Sequence, residues 1–331
     1  MLRYLAKKLS IFILFMLLLS LFSFSLSRLA PGDPLQSFYG EAVERMSPAE
    51  HEAARERLGL NAPLPVQYRT WFTQALQGDF GMSLKYKQPA LQVIQSLIGN
   101  TLLLGTLAYV LVFLFAIGTA ILCVLHEGTW FDRSLCQAGT LAFYLPAFWV
   151  GLLLILLFSV NLHLLPSGGA YTAGYADDIP DRIRHLILPL IVMIGSHLWY
   201  YAYMIRNKLL DEVRKDYVLF AKSKGLSRLQ ILCRHCLRNI APTIVSIMAI
   251  SVTHILSGTY VVEFVFAYPG IGALAVESAK YHDYNLLMLI VLLTGALVIL
   301  TSLAAETINE CIDPRMRVQE AALWKKTSRT L

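Results

Sequence analysis

The chain reads as an all-α, polytopic membrane protein with six transmembrane helices, a small external cap and a cytoplasmic helical hairpin. Three observations predict this. Of its 331 residues, 56% are apolar and only 15% are charged, well below the quarter usual in a soluble domain. Six runs reach the roughly 20 apolar residues that a bilayer core demands: Leu9–Leu29, Thr101–Leu125, Leu135–Leu164, Leu186–Ile205, Pro242–Val262 and Leu286–Ile308. Lysine and arginine are divided unevenly between the two sides these runs define, and that division sets the orientation.

The first segment, residues 1–29, places Arg3, Lys7 and Lys8 ahead of its apolar run. That run exceeds the roughly 7–15 residues of a signal-peptide core, and no A-x-A site follows, so it is expected to remain as an anchor. Residues 30–97 form the one sizeable block outside the spans. Within it, "SPAEHEAARERLGL" reads as a helix: Ser47 at the N-cap, Pro48 at the first helical position, Glu50 closing a capping box and Gly59 at the end. A small folded cap is the expectation. Residues 98–310 hold the other five spans, and 311–331 form a cytoplasmic tail. No internal repeat or low-complexity linker interrupts this order.

The segment between the fourth and fifth spans carries nine basic residues: Arg206, Lys208, Arg214, Lys215, Lys222, Lys224, Arg228, Arg234 and Arg238. The two short loops on the opposite side carry Arg182, Arg184 and Lys280. Both termini and the basic segment are therefore expected in the cytoplasm. The net charge of +6 reflects this asymmetry, and no nucleic-acid partner is implied. The five cysteines, Cys123, Cys136, Cys233, Cys236 and Cys311, all fall in the cytoplasmic half, so disulfides are not expected. Cys233-x-x-Cys236 lacks the second ligand pair of a zinc site and reads as a buried helix seam.

The basic segment is more organised than charge bias requires. Leu210, Val213, Tyr217 and Phe220 have the spacing of one helix face, and Leu229, Leu232, Cys233, Cys236, Leu237 and Ile240 form a second stripe. Gly225 supplies a turn between them and Ser227 caps the second helix. A helical hairpin over 206–241 that docks a protein is the expectation. Farther on, Pro269, Gly270 and Gly272 argue for a turn that re-enters or skims the membrane, a place to line a gate.

The stretch "DYVLFAKSKGLSRLQILCRHCLRNIAP" at 216–242 resembles the cytoplasmic signature loop of ABC-importer permeases. "APGDP" at 30–34, "LGLNAPLPVQYRTWFTQALQGDFGMSL" at 58–84, "LHLLPSGG" at 162–169, "VEFVFAYPGIGALAVESAKYHDY" at 262–284 and "DPRMR" at 313–317 narrow the likeness. They are similar to the first-type permease of the dipeptide/oligopeptide/nickel group. The resemblance covers nearly the whole chain, in order. It implies a type I importer fold in the bacterial inner membrane and transport of peptides, nickel or metal chelates. The implied partners are a second permease, two ATP-binding subunits that carry ATP and Mg²⁺, and an external solute-binding protein. It also implies that the hairpin is a coupling helix seated in an ATPase, with Ala221, Lys224, Gly225, Leu226 and Ser227 at the contact. Asp216, Tyr217, His235 and Asn239 would shape it. The chain itself has no phosphate-binding G-x-x-x-x-G-K-[ST] loop, so no cofactor of its own is expected. Two positions depart from the family pattern: Ser223 stands where alanine is usual, and Asn285 where proline often follows Asp-Tyr.

Ionisable residues inside a membrane are functional candidates. His197 and His254, beside Ser196 and Ser251, either line the translocation path, where imidazole suits nickel, or bond one span to another. Glu263, Pro269 and Gly270 are candidates for a gate. His163, His185 and His282 show no close ligand spacing, and no metal site is expected among them. The rivals are an intramembrane enzyme and a passive channel. The first lacks a nucleophile–base pair or an HExxH-type motif, so no catalytic residue is assigned. The second leaves the hairpin and cap without a purpose.

Overall fold

The computed structural model describes residues 2–29 and 35–312. The motifs at 30–34 and 313–317, and the tail beyond Ile312, lie outside the described residues. Among the described residues there is no strand, only an isolated bridge between Met82 and Pro89. The principal helices are α1 (Leu2–Leu29), α2 (Pro48–Arg57), α3 (Leu64–Leu76), α4 (Ala90–Leu125), α5 (Trp130–Tyr144) and α6 (Ala147–Leu154). They continue with α7 (Ile179–Val213), α8 (Asp216–Ser223), α9 (Arg228–Val265), α10 (Ile271–Lys280) and α11 (Tyr284–Ile312). Five of them, α1, α4, α7, α9 and α11, are long and apolar enough to cross a membrane; α5 with α6 makes a sixth span if the bent pair counts as one.

That pair corrects the expected third span. Leu135–Leu164 is not one helix: the axis turns by 97° between Tyr144 and Ala147. Leu145 is extended (φ −74°, ψ 129°) and Pro146 follows it. Proline crowds the residue before it out of the helical region, so the sequence Leu-Pro ends one helix and opens the next. Helices α4 and α7 also outrun the predicted spans. At 36 and 35 residues they extend about 50 Å, so α4 begins inside the block expected to be external and α7 carries on through residues 206–213.

The chain divides into two compact units. The first comprises Met1–Leu102 and Ala267–Leu300. Its capping box forms as expected: the Glu50 amide donates to the Ser47 hydroxyl at 3.3 Å, and Glu50 accepts from the Ser47 amide at 2.8 Å. Gly59 ends the turn at φ +65°, and Leu35, Val43, Ala54 and Leu60 make a small core under it. The side chain of Phe24 on α1 packs against Tyr68 and Trp71 of α3. A second core joins Val93 and Ile94 of α4 to Leu274 of α10 and Leu289 and Ile290 of α11. Buried Asp283 locks it, accepting from Ser83 Oγ at 2.5 Å and from the Leu286 amide at 3.3 Å. Asn285 donates to the Met82 carbonyl at 3.1 Å, and α11 begins at Tyr284.

The second unit comprises Leu103–Phe266 and Thr301–Leu331. Its helices approach closely at small residues, as membrane helices do. Gly139 of α5 lies against the Trp199 ring of α7. Gly258 of α9 lies against His197, where an added Cβ would stand 2.6 Å from Cε1.

Candidate functional site

The predicted hairpin is present, built from α8 and the start of α9, and its turn has a defined chemistry. The Leu226 amide donates to the Ala221 carbonyl at 3.3 Å and the Gly225 amide to that of Lys222 at 2.9 Å. This is a Schellman ending, whose C′ residue must be left-handed. Gly225 fills that position at φ +80°, and among the described residues no atom beyond its chain neighbours lies within 4 Å of where its Cβ would be. The positive φ is by itself a reason for glycine here. Ser227 then opens α9 with a capping box, its hydroxyl accepting from the Gln230 amide at 3.3 Å and its amide donating to the Gln230 side chain at 3.0 Å.

The faces differ from those expected. Helix α7 stops at Val213 because Lys215 is extended (ψ 151°). Leu210, Val213, Tyr217 and Phe220 therefore do not share one helix face. Val218 and Ala221 are the buried residues of α8, while Leu219 and Phe220 are 64% and 61% exposed. Lys224 Nζ sits 4.3 Å from the Phe220 ring centroid, a cation–π pairing on the open side. In α9, Leu229 and Cys233 are exposed, and Ile231, Leu232, Cys236 and Ile240 are buried. A π-helical turn over Leu232–Cys236 adds one residue per turn, which rotates the stripe out of its 3.6 register. The Cys233/Cys236 seam is thus buried at one cysteine only.

One residue that sequence reasoning missed organises the rest. Glu212, 6% exposed at the end of α7, receives the Tyr217 hydroxyl at 3.0 Å and the Asn239 amide at 3.1 Å on Oε1. It receives the Lys215 ammonium at 2.6 Å on Oε2. Burial, then Cys236 and Glu212 alongside, pushes the Tyr217 phenol well above the ordinary tyrosine value. Tyr217 and Asn239 thus meet at one buried carboxylate, whereas Asp216 is exposed and His235 half-buried on the π turn. Ala221 faces inward; Lys224, Gly225 and Ser227 are exposed, and Leu226 is half-buried. A second set of contacts seats the hairpin: Arg228 donates to the Val124 carbonyl at 2.7 Å, and Arg214 pairs with Glu127 at 3.1 Å.

The membrane candidates are scattered. In the second unit, His197 Nδ1 lies 2.9 Å from the Met193 carbonyl and 2.9 Å from Ser196 Oγ within its own helix, and its ring also interacts with the backbone of His254 on α9. His254 is exposed, Ser251 is buried with its hydroxyl on the Met248 carbonyl, and Glu263 is fully buried. In the first unit, the Pro269 carbonyl accepts from Asn100 at 2.8 Å. Gly270 caps α10, and Thr101 Oγ1 accepts from the Ile271 amide at 2.8 Å. The histidines expected on the outside each have local contacts: His163 with the Ser159 carbonyl, His185 with the Gly168 carbonyl and His282 with the Tyr284 hydroxyl.

The sequence profile of the family described as "Binding-protein-dependent transport system inner membrane component" matches residues 112–318, and its N-terminal companion matches residues 1–95. The chain belongs to this family. It is a multi-pass permease subunit of an ABC-type importer, a transport protein and not an enzyme. As a permease of this kind it works in general with a partner permease, ATPases and a binding protein. It is 33% identical to the oligopeptide transport system permease protein AppB of Bacillus subtilis, over 90% of this chain and 94% of that one. It is 27% identical to the metal-staphylopine import system permease protein CntB of Staphylococcus aureus, over 96% and 99%. Its fold matches a permease in the inward-facing MetNI methionine ABC transporter with a TM-score of 0.55 and 15% identity, over 67% of this chain and 97% of that one.

Proposed function

We propose that this permease imports peptides, with both termini and the 206–241 hairpin in the cytoplasm. It forms the path as a heterodimer with a second permease. Two ATP-binding subunits bind ATP and Mg²⁺ on their own surfaces, and an external solute-binding protein delivers the cargo to the 30–97 cap. The observation that carries the reading is the hairpin itself: anchored inward by Glu212, it leaves Leu219, Phe220 and Lys224 exposed on its outer side. Asp216, Tyr217, His235 and Asn239 shape the hairpin, and Ala221, Lys224, Gly225, Leu226 and Ser227 make the ATPase contact, with Lys224, Gly225 and Ser227 as its exposed part. Ser196, His197, Ser251, His254, Glu263, Pro269 and Gly270 remain the path and gate candidates.

The likeness to CntB favours a second reading of the cargo, a metal chelate of peptide-like size. Proteoliposomes holding both permeases and both ATPases, supplied with the binding protein, decide between them. ATP-dependent accumulation of labelled di- to pentapeptides is expected; accumulation of nickel chelates alone transfers the cargo to the second reading. Uptake by this chain alone, without ATP, contradicts an importer subunit and describes a channel.

A further inference from the structure

Beside the junction of α4, α5 and α7 lies a group of side chains that the transport reading does not use. Cys123 ends α4, Asp132 opens α5 and Cys136 follows one turn later. One ligand atom from each lies within 4.8 Å of the others, with Cys123 3% and Asp132 4% exposed. Both cysteines are free thiols. We propose that Cys123, Asp132 and Cys136 form a binding site for a thiophilic divalent cation of the zinc class.

The donor set fits that ion. Two thiolates and a carboxylate are three of the four ligands of a tetrahedral site whose last position is open. Metal–sulfur bonds of about 2.3 Å place tetrahedral ligands roughly 3.8 Å apart, so the three groups close on an ion by shifts of about an ångström or less. The Cys136 thiol now donates toward Asp132 Oδ1 at 3.7 Å; a cation would take the place of that proton. Arg206 of α7 holds the carboxylate from behind, Nε to Oδ1 at 3.1 Å and Nη2 to Oδ2 at 2.7 Å, and the Gly128 amide adds 3.2 Å to Oδ2. Such outer partners fix a ligand's orientation. An adjoining cavity of about 310 Å³, with Cys123, Cys136 and Arg206 in its wall, provides entry and room for a fourth ligand.

The charges balance in both states. Without the ion, Asp132 is offset by Arg206 and the thiols are neutral. Binding forms two metal–sulfur bonds and one metal–oxygen bond and releases two thiol protons to solvent. The two added positive charges then meet two thiolates, and no electron is transferred.

The test uses the full-length chain in detergent with a phosphine reductant and Cd²⁺ as probe. The wild type should develop thiolate-to-cadmium ultraviolet absorption that saturates. Cys123→Ser/Cys136→Ser should lose at least half of it, while the exposed Cys233→Ser control retains it. Undiminished absorption in a monodisperse double variant overturns the site. A second measurement needs no variant: Zn²⁺ should slow alkylation of Cys136 by N-ethylmaleimide at least tenfold, resolved by peptide mass spectrometry, with Cys233 unaffected. Equal rates with and without Zn²⁺ overturn the site even if the double variant fails to fold.

Discussion

The amide of Asn239 and the carboxylate of Glu212 meet at 3.1 Å although 27 positions separate them in sequence. Their bond ties the interior of α9 to the last turn of α7, and Tyr217 joins at the same oxygen. The hairpin between them is therefore anchored to the helix that precedes it and the helix that follows. Glu212→Ala should strand the Tyr217 hydroxyl and the Asn239 amide. Each hydrogen bond to a charged acceptor contributes about 1.5–3 kcal/mol, whereas the Lys215 end is largely exposed and adds little. The expected loss is about 2–4 kcal/mol of local stability, read as faster hydrogen exchange over 216–236 with unchanged exchange in α11. Exchange at the wild-type rate would deny Glu212 its anchoring role.

Tyr217 gives the same anchor a pH signature. Its phenol is held above the ordinary value in the folded chain, so its contribution is complete below an unfolded value of about 10. That contribution fades as pH rises through the raised folded value. Hairpin protection should hold steady from neutral to mildly alkaline pH and weaken only beyond the ordinary tyrosine range. Tyr217→Phe should abolish that alkaline component. An alkaline loss of the same size in the phenylalanine variant would assign it to another group.

Much of this arrangement is legible in the residues. The Ser47–Glu50 capping box, the cap at Ser227, the glycine turn and five of the apolar runs stand where the spacing puts them. The third run misleads because apolar content says nothing about direction, and the 97° turn rests on one Leu-Pro step. The hairpin stripes are misjudged because the pause at Arg214–Lys215 and the π turn at Leu232–Cys236 each reset the helical phase, which a fixed 3.6 period cannot follow. Glu212 is overlooked because a glutamate among lysines and arginines looks like a solvated face, and its burial depends on Asn239, far away in sequence.

His197 bonds to Met193 in its own helix, packs on Gly258 and meets the backbone of His254 on α9, so one of its contributions, beside its candidacy for the path, is to helix packing. His197→Gln/His254→Gln should lower stability in detergent by about 0.6–2 kcal/mol and leave the apparent affinity for cargo unchanged. Gly258→Ala should mimic the packing defect, since its Cβ would meet the imidazole. A stable double variant that loses metal-chelate uptake alone would return His197 and His254 to the path.

In the first unit, Asp283→Ala should unfasten the lock between the 83–86 loop and the start of α11. Ser83 and the Leu286 amide each lose a charged acceptor, a cost of about 2–4 kcal/mol. The expected sign is protease cleavage within residues 77–89 of the variant in membranes, absent from the wild type. Equal resistance would show that the hydrophobic core around Ile94 and Leu289 suffices.

The central claim, that the hairpin passes ATP hydrolysis to transport, turns on Gly225. Valine at a left-handed position strains the backbone by about 1–3 kcal/mol, enough to undo a Schellman turn and too little to unfold the membrane helices. Ser227→Ala removes one cap, about 1 kcal/mol, and serves as the milder control. The decisive measurement is cargo uptake in cells, with retention of the ATP-binding subunits on the purified permease, for Gly225→Val at wild-type expression. The account predicts normal insertion, loss of most of the bound ATP-binding subunits and uptake near background, with Ser227→Ala intermediate. Wild-type uptake with full ATPase retention in Gly225→Val would contradict it.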